Sequence, residues 1–316
     1  MVDQANPFSD KMCYNLNSGA VGDLTAAAGV LKYAIERFHT PRNVDYKVAL
    51  FDDFRFLFPF VPKENFITLD DVSKLEGYAV RKLNTDAGGG VVARLTPSSM
   101  HLVHYASVGL TSSVIDLETV PYVKVDPVPI DKFDIDYDKA VIMCVTYRDR
   151  HRSWKVEEIY KTAEGIRDMG LTPVFIGKTG AMANWKNVLA KTEFEYPGFG
   201  INLIDQTTLP EMAAIMGKSR AVMGMDSGPI HIAMSTNVPV ICGFTSVRPD
   251  LRIPYRENAI TIPIIPEEII CRFCQSDWNL LFHDFTKCPR GMETPECVDM
   301  MTAEKFLAAL RKVRAP

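Results

Sequence analysis

Long apolar runs are missing from this chain of 316 residues. None approaches the roughly 18 residues needed to span a bilayer, so no membrane-crossing helix is expected. The opening Met1-Val2-Asp3-Gln4-Ala5-Asn6-Pro7 has no basic or apolar leader region. That argues against a signal peptide and for a cytoplasmic protein, or one of the host cytoplasm if a phage encodes it. Basic tails and long runs of one charge sign are also absent. At a net charge of −4, the chain does not read as one that coats nucleic acid, although a local basic cleft stays compatible with DNA. Fixed-period repeats and low-complexity segments are lacking too. What is present is globular: 47% apolar and 23% charged residues, enough for two domains with separate cores.

Along the chain, residues 12–16 read as a strand, followed by a glycine turn over 17–22 and an amphipathic helix over 23–39. A second strand covers 46–51. Residues 52–95 give no clear period. Residues 98–109 read as a helix behind a serine cap. The proline- and aspartate-rich stretch 120–138 reads as a linker. Strands and helices then alternate: strands at 140–145, 172–176, 201–204, 221–225 and 238–244, helices at 154–169, 181–190, 209–216 and 229–235. This spacing predicts a parallel sheet covered on both faces. The expected fold is α/β with two Rossmann-like domains, 1–125 and 139–300, facing across a cleft, and a last helix in 301–316 packing back on the first domain. Ligands of such sheets bind beyond the carboxyl ends of the strands.

The most informative segment is Met225-Asp226-Ser227-Gly228-Pro229-Ile230-His231. An apolar strand runs into a short turn, and Pro229 sits where a helix favours proline. Backbone N–H groups at a helix start attract anions, a diphosphate among them. Gly228 permits close approach, and Ser227 and His231 can reach the same ligand. Capping alone also accounts for Asp226, Ser227 and Pro229. Gly177-Lys178-Thr179-Gly180 is not a P-loop, because position 172 is threonine where that motif needs glycine. Lys178 can still serve an anion, or simply face solvent.

The segments 202–209, 225–233 and 238–245 resemble the donor-binding half of glycosyltransferase family 9, the heptosyltransferase-like enzymes. The resemblance runs over roughly 140–254 and returns at 18–25. It implies the GT-B fold and inverting, metal-independent transfer of a sugar from a nucleotide-diphosphate sugar to an acceptor hydroxyl. It places Asp226, Ser227, Gly228 and His231 on the donor diphosphate and sugar, Thr207 at the nucleotide base, and Thr146 and Tyr147 at phosphate. The family's lysine before a Trp-Pro pair has no counterpart in Arg148-Asp149-Arg150-His151-Arg152-Ser153-Trp154. Arg150 or Arg152 can supply the charge, since arginine grips phosphate bidentately; a solvated basic loop is the alternative. In the resemblance, Gly22-Asp23 carries the base that deprotonates the acceptor. From its position alone, Asp23 equally reads as a residue complementing a helix start.

Cys13, Cys144 and Cys242 lie in apolar stretches and read as buried core. Cys271, Cys274, Cys288 and Cys297 form a C-x2-C pair followed by two more cysteines. Two readings stand: a structural zinc staple, or reduced cysteines that only pack. His283 is a spare ligand or a surface residue. For the acceptor, a glycan or lipid-linked saccharide competes with hydroxymethylated DNA. The aromatic and cationic residues Phe54-Arg55-Phe56, His101, His104 and Tyr105 fit either one, or plain core packing. A nucleotide-sugar epimerase or a non-catalytic nucleotide-sugar binder is the remaining alternative, and the oligomeric state is not legible.

Overall fold

A computed structural model describes residues 9–17, 21–82, 122–182, 185–257, 259–274 and 288–313, with the side chains of 38 and 181–190 left aside. The expected helix at 98–109, the Gly88–Gly90 run, His101, His104, Tyr105, His283 and residues 18–20 of the glycine turn lie outside them. The chain divides into two compact units, Met1–Asp126 and Pro127–Pro316.

The first unit holds a parallel sheet ordered β3-β2-β1-β4, from β1 (Lys11–Asn15), β2 (Asp45–Ala49), β3 (Phe66–Ile67) and β4 (Ala79–Lys82). After β1 comes α1 (Val21–Ala34), extended by one wider turn at Ile35–His39. Leu24, Ala26, Ala27, Ala28, Val30 and Leu31 are all buried. The stretch after β2, opaque in sequence, consists of short 3-10 turns, such as Asp52–Leu57, between short strands. Such turns have no long hydrophobic period to read.

The second unit is built on a parallel sheet ordered β12-β11-β10-β5-β6-β9. Its strands are β5 (Ala140–Cys144), β6 (Thr172–Gly177), β9 (Ile201–Ile204), β10 (Ala221–Met225), β11 (Val240–Gly243) and β12 (Thr261–Ile264). Every residue of β5 and β10 is buried, as continuous apolar runs in the middle of a parallel sheet require. The helices are α2 (Val156–Asp168), α3 (Leu209–Lys218), α4 (Gly228–Met234), α5 (Glu296–Asp299) and α6 (Ala303–Lys312). A capping box between Thr208 and Glu211 starts α3. Strand order reverses between β5 and β10, so the crevice beyond their carboxyl ends is where this topology places a ligand.

Three expectations are corrected. Residues 181–190 are not a helix: Gly180–Met182 (β7) and Trp185–Ala190 (β8) pair as an antiparallel hairpin. Gly180 turns the chain at φ +85°, and Lys191 and Tyr147 exchange backbone hydrogen bonds of 2.8 and 2.9 Å. Ladder pairing overrides a helix-compatible local sequence. Residues 127–138 belong to the second unit rather than to a linker: Ile130 is buried and Lys132 pairs with Glu211 at 2.6 Å. The last helix, α6, packs on α2 of its own unit. Trp154 stacks on Phe306 with ring centroids 4.2 Å apart and donates its indole N–H to Met301 O. Glu158 accepts from the Ala303 N–H at the start of α6. Gly165 lets the two helices meet, since a Cβ there would lie 2.4 Å from Leu307 Cδ1.

Candidate functional site

The loops after β5, β10 and β11 converge on one carboxylate. Asp226 continues β10, its N–H donating to Gly243 O at 3.0 Å, and its side chain is 4% exposed. His231, one turn into α4, places Nε2 3.2 Å from Asp226 Oδ1. Arg152, from the loop after β5, approaches Oδ2 at 3.6 Å, and Arg252, from the loop after β11, approaches it at 3.8 Å. Burial would raise the Asp226 pKa, but the His231 hydrogen bond and the charges of Arg252 and Arg152 outweigh it. The carboxyl is held well below its usual range and is ionised. Beside it, His151 is pushed down to about 4 by burial and by Arg152, so it is neutral near pH 7.

Ser227 occupies the N-cap position of α4, but its side chain makes no capping bond. Its Oγ is buried and has no hydrogen-bond partner among the described residues. A buried hydroxyl left in that state is costly unless something else supplies the bond. Capping therefore does not account for Ser227. The helix itself has only seven residues, so positive charge at this place comes mainly from the two arginines. The sequence reading missed Arg252: no motif marks it, and only the fold brings it to Asp226.

The remaining expected residues are spread over both units. Tyr147 donates its hydroxyl to Glu193 at 2.8 Å, and Arg150 lies 3.5 Å from the same carboxylate. With Arg148, Thr179, Lys191 and Thr192 they line an open hollow of about 470 Å³. Thr146, two residues beyond β5, leans over Gly177 of β6, where a Cβ would come within 2.3 Å of its Cγ2. Lys178 pairs with Asp205 at 3.5 Å, and Asp205 also accepts from the Thr179 N–H at 2.8 Å. The Thr207 hydroxyl is buried without a hydrogen-bond partner among the described residues. Gly22 is buried and Asp23 half-buried in the first turn of α1, at the carboxyl end of β1 in the first unit.

Cys13, Cys144 and Cys242 are buried, as expected, and burial raises the first two to about 11 and 12. Cys271, Cys274, Cys288 and Cys297 line one small cavity, together with His151 and Ser246, with about 20 Å³ of room. That is space for one ion or water, not for a nucleotide. As the side chains stand, no group of three or more His, Cys, Asp or Glu among the described residues is placed to hold an ion. This cavity backs onto the arginine loop. The Phe273 N–H donates to Thr245 O at 2.8 Å, and the Thr245 hydroxyl donates to His151 O. Among the described residues no helix is long and apolar enough to cross a membrane.

Two parallel α/β units, the second with its polar cluster at the sheet's switch point, define the GT-B class of glycosyltransferase fold. Solved structures share it. TibC of enterotoxigenic E. coli, described as an iron-containing dodecameric glycosyltransferase, superposes with a TM-score of 0.71 at 17% identity, over 96% of this chain and 75% of that one. E. coli ADP-heptose LPS heptosyltransferase II does so with a TM-score of 0.64 at 12% identity, over 96% and 98%. At such identities these structures establish the fold alone. Residues 126–276 match the family described as Glycosyltransferase family 9 (heptosyltransferase), and this segment is similar to that family. Lipooligosaccharide heptosyltransferase 2 of Haemophilus influenzae is 26% identical over 119 residues, 38% of this chain; the match spans about a third of that relative, 34% of its length.

Proposed function

We propose that this protein is an inverting, metal-independent glycosyltransferase that moves a sugar from a nucleoside-diphosphate sugar to a saccharide hydroxyl. One observation carries the reading: a buried, ionised Asp226 flanked by two arginines, with a Ser227 hydroxyl unbonded among the described residues, at the switch point of a domain similar to family 9. The diphosphate lies against Arg152, Ser227 and Gly228. Asp226 and His231 hold the arginines and meet the sugar. The nucleoside takes the hollow bounded by Tyr147 and Arg150, with Thr146, Lys178 and Thr207 at its margins; a volume of a few hundred Å³ suits it. Asp23 accepts the proton of the attacking hydroxyl, and arginine charge meets the departing diphosphate in place of a metal ion. TibC was solved in complex with ADP-D-β-D-heptose, which makes ADP-heptose the first donor to test. Nothing among the described residues favours a hydroxymethylated-DNA acceptor.

Calorimetry with ADP-, UDP-, GDP- and CDP-sugars tests the reading. One donor is expected to bind with a Kd below about 1 mM, a free energy beyond about −4 kcal/mol. Binding by none of them sinks it. An NMR spectrum of the product showing retained anomeric configuration would overturn inversion, and a donor converted to its epimer without an acceptor would make the protein an epimerase.

The four cysteines around the 20 Å³ cavity are proposed as ligands of one structural ion. Soft thiolates suit zinc or iron, and the cavity admits one ion after side-chain rotation. Elemental analysis of protein purified without added metal is expected to find close to one zinc or iron per chain. A content below about a tenth of that, with Cys297→Ser leaving Tm unchanged, makes them packing residues.

A further inference from the structure

We propose that Thr245 is a positioning residue of the donor site: its buried hydroxyl holds the turn that carries Arg150 and Arg152, and its backbone ties that turn to the segment bearing Cys271 and Cys274. The inference rests on the donor site proposed above and adds to it a residue that touches neither donor nor acceptor.

The turn needs such a hold. Arg150–Arg152 is a single 3-10 turn between two extended residues, Asp149 and Ser153. Its own backbone bonds run from the Arg152 N–H to Asp149 O at 2.9 Å and from the Ser153 N–H to Arg150 O at 3.1 Å. Neither uses the His151 carbonyl, and a turn this short has poor hydrogen-bond geometry. His151 is buried, so its carbonyl requires a partner inside the protein. The Thr245 hydroxyl, on a residue 2% exposed, supplies it from 94 positions away in the chain.

Topology gives this bond its leverage. Phe244 continues the β11 ladder by donating its N–H to Ile264 O at 2.9 Å, so Thr245 is anchored just beyond the sheet. In the strand order β11-β10-β5, β10 lies between the strands that lead to the two partners. The Thr245–His151 bond therefore links the loops on either side of the turn at Asp226 and Ser227. It sets where Arg152 stands, 3.6 Å from Asp226 Oδ2, and where Arg150 stands at the rim of the open hollow. Arginine grips a phosphate through paired donors whose geometry tolerates little displacement.

The other side of Thr245 is equally specific. Its carbonyl accepts the Phe273 N–H at 2.8 Å. Phe273 has φ +60°, a left-handed backbone that a large side chain adopts only where its surroundings impose it. The cysteine-bearing chain meets the turn at a second place. There α5, which contains Cys297, packs against Arg150–Arg152, and its Asp299 pairs with Lys155 at 2.6 Å. The arginine turn is thus braced from the cysteine side, and Thr245 is the joint between the Cys271–Cys274 segment and the turn.

Calorimetric titration with ADP, UDP, GDP and CDP tests this on wild type, Thr245→Val, Thr245→Ser and Thr162→Val, at a temperature where each is folded. Valine keeps the shape and removes the hydroxyl; serine keeps the hydroxyl. Thr162 is a control of the same kind, 0% exposed and bonded to Glu158 O at 2.6 Å inside α2. Thr245→Val should weaken binding of the tightest diphosphate by about 10-fold, the worth of one hydrogen bond lost from a buried group. Thr245→Ser should restore affinity to within about threefold, and Thr162→Val should leave it unchanged. A merely structural hydroxyl would move Tm in the valine variants and affinity in neither. If Thr245→Val does not fold, hydrogen exchange on wild type decides. The diphosphate should then slow exchange at the Arg152 and Phe273 N–H groups together, and protection that does not reach Phe273 overturns the proposal. Unchanged affinity in Thr245→Val, or a loss that serine does not recover, overturns the role of Thr245 and leaves the donor site standing. Failure of wild-type protein to bind any of the four diphosphates overturns both.

Discussion

Replacing Asp23 by asparagine is expected to slow sugar transfer by about 10²- to 10⁴-fold, the usual worth of a positioned general base, with donor affinity unchanged within about twofold. The split follows from where the residues lie. The donor site proposed above lies in the second unit, around Arg152 and Ser227. Asp23 is in the first unit, in the first turn of α1 directly after β1. Asparagine keeps the size but can neither take a proton nor supply the negative charge that complements the helix start. Steady-state kinetics with saturating donor measure the effect on kcat, and calorimetry with the diphosphate measures binding. A normal kcat in Asp23→Asn would remove this residue from the chemistry and reduce it to a helix-terminus role, about 0.3–1 kcal/mol of stability.

Asp226→Asn is expected to affect stability and binding together. The carboxylate is 4% exposed and stands before Arg152 and Arg252. Removing its charge takes away the carboxylate that Arg152 and Arg252 share, and breaking a buried ion pair costs roughly 3 kcal/mol or more. For a unit of this size that lowers Tm by about 10 °C. The pH dependence gives an independent readout. The Asp226 pKa is lower in the folded than in the unfolded chain, so its contribution is fully present above the ordinary carboxylate range and is lost as pH falls below about 4. His151 acts in the neighbouring window: its folded value is about 4 against 6.5, so the unfolded chain binds the extra proton and stability falls as pH drops between them. Wild type should therefore lose Tm in two stages on acidification. Asp226→Asn should start lower and lack the second stage. A variant with wild-type Tm and an unchanged acid profile would show that the arginines do not depend on this carboxylate.

The sequence made the strand–turn–helix around Asp226 legible because it is local. The β10 run 221–225 is wholly apolar, and Pro229 marks the start of α4. The alternation of strands and helices after residue 139 was legible for the same reason: a buried parallel sheet needs uninterrupted apolar strands. Local reasoning failed at the β7–β8 hairpin, where residues compatible with a helix are held in a ladder by the Tyr147–Lys191 pairing. It failed again at 127–138, where proline and aspartate suggest a linker but Ile130 and Lys132 are bound to the second unit.

By itself, then, the sequence determined the α/β class, the candidate donor turn and the family resemblance, all of which reside in short contiguous segments whose period and residue types fix their local shape. Tertiary structure decided which charges meet. Arg152, Asp226 and Arg252 are far apart in the chain, and only the strand order β11-β10-β5 makes their loops neighbours. It also decided that Ser227 does not cap its helix, since whether a hydroxyl finds a partner depends on how it is oriented and on what the fold packs around it.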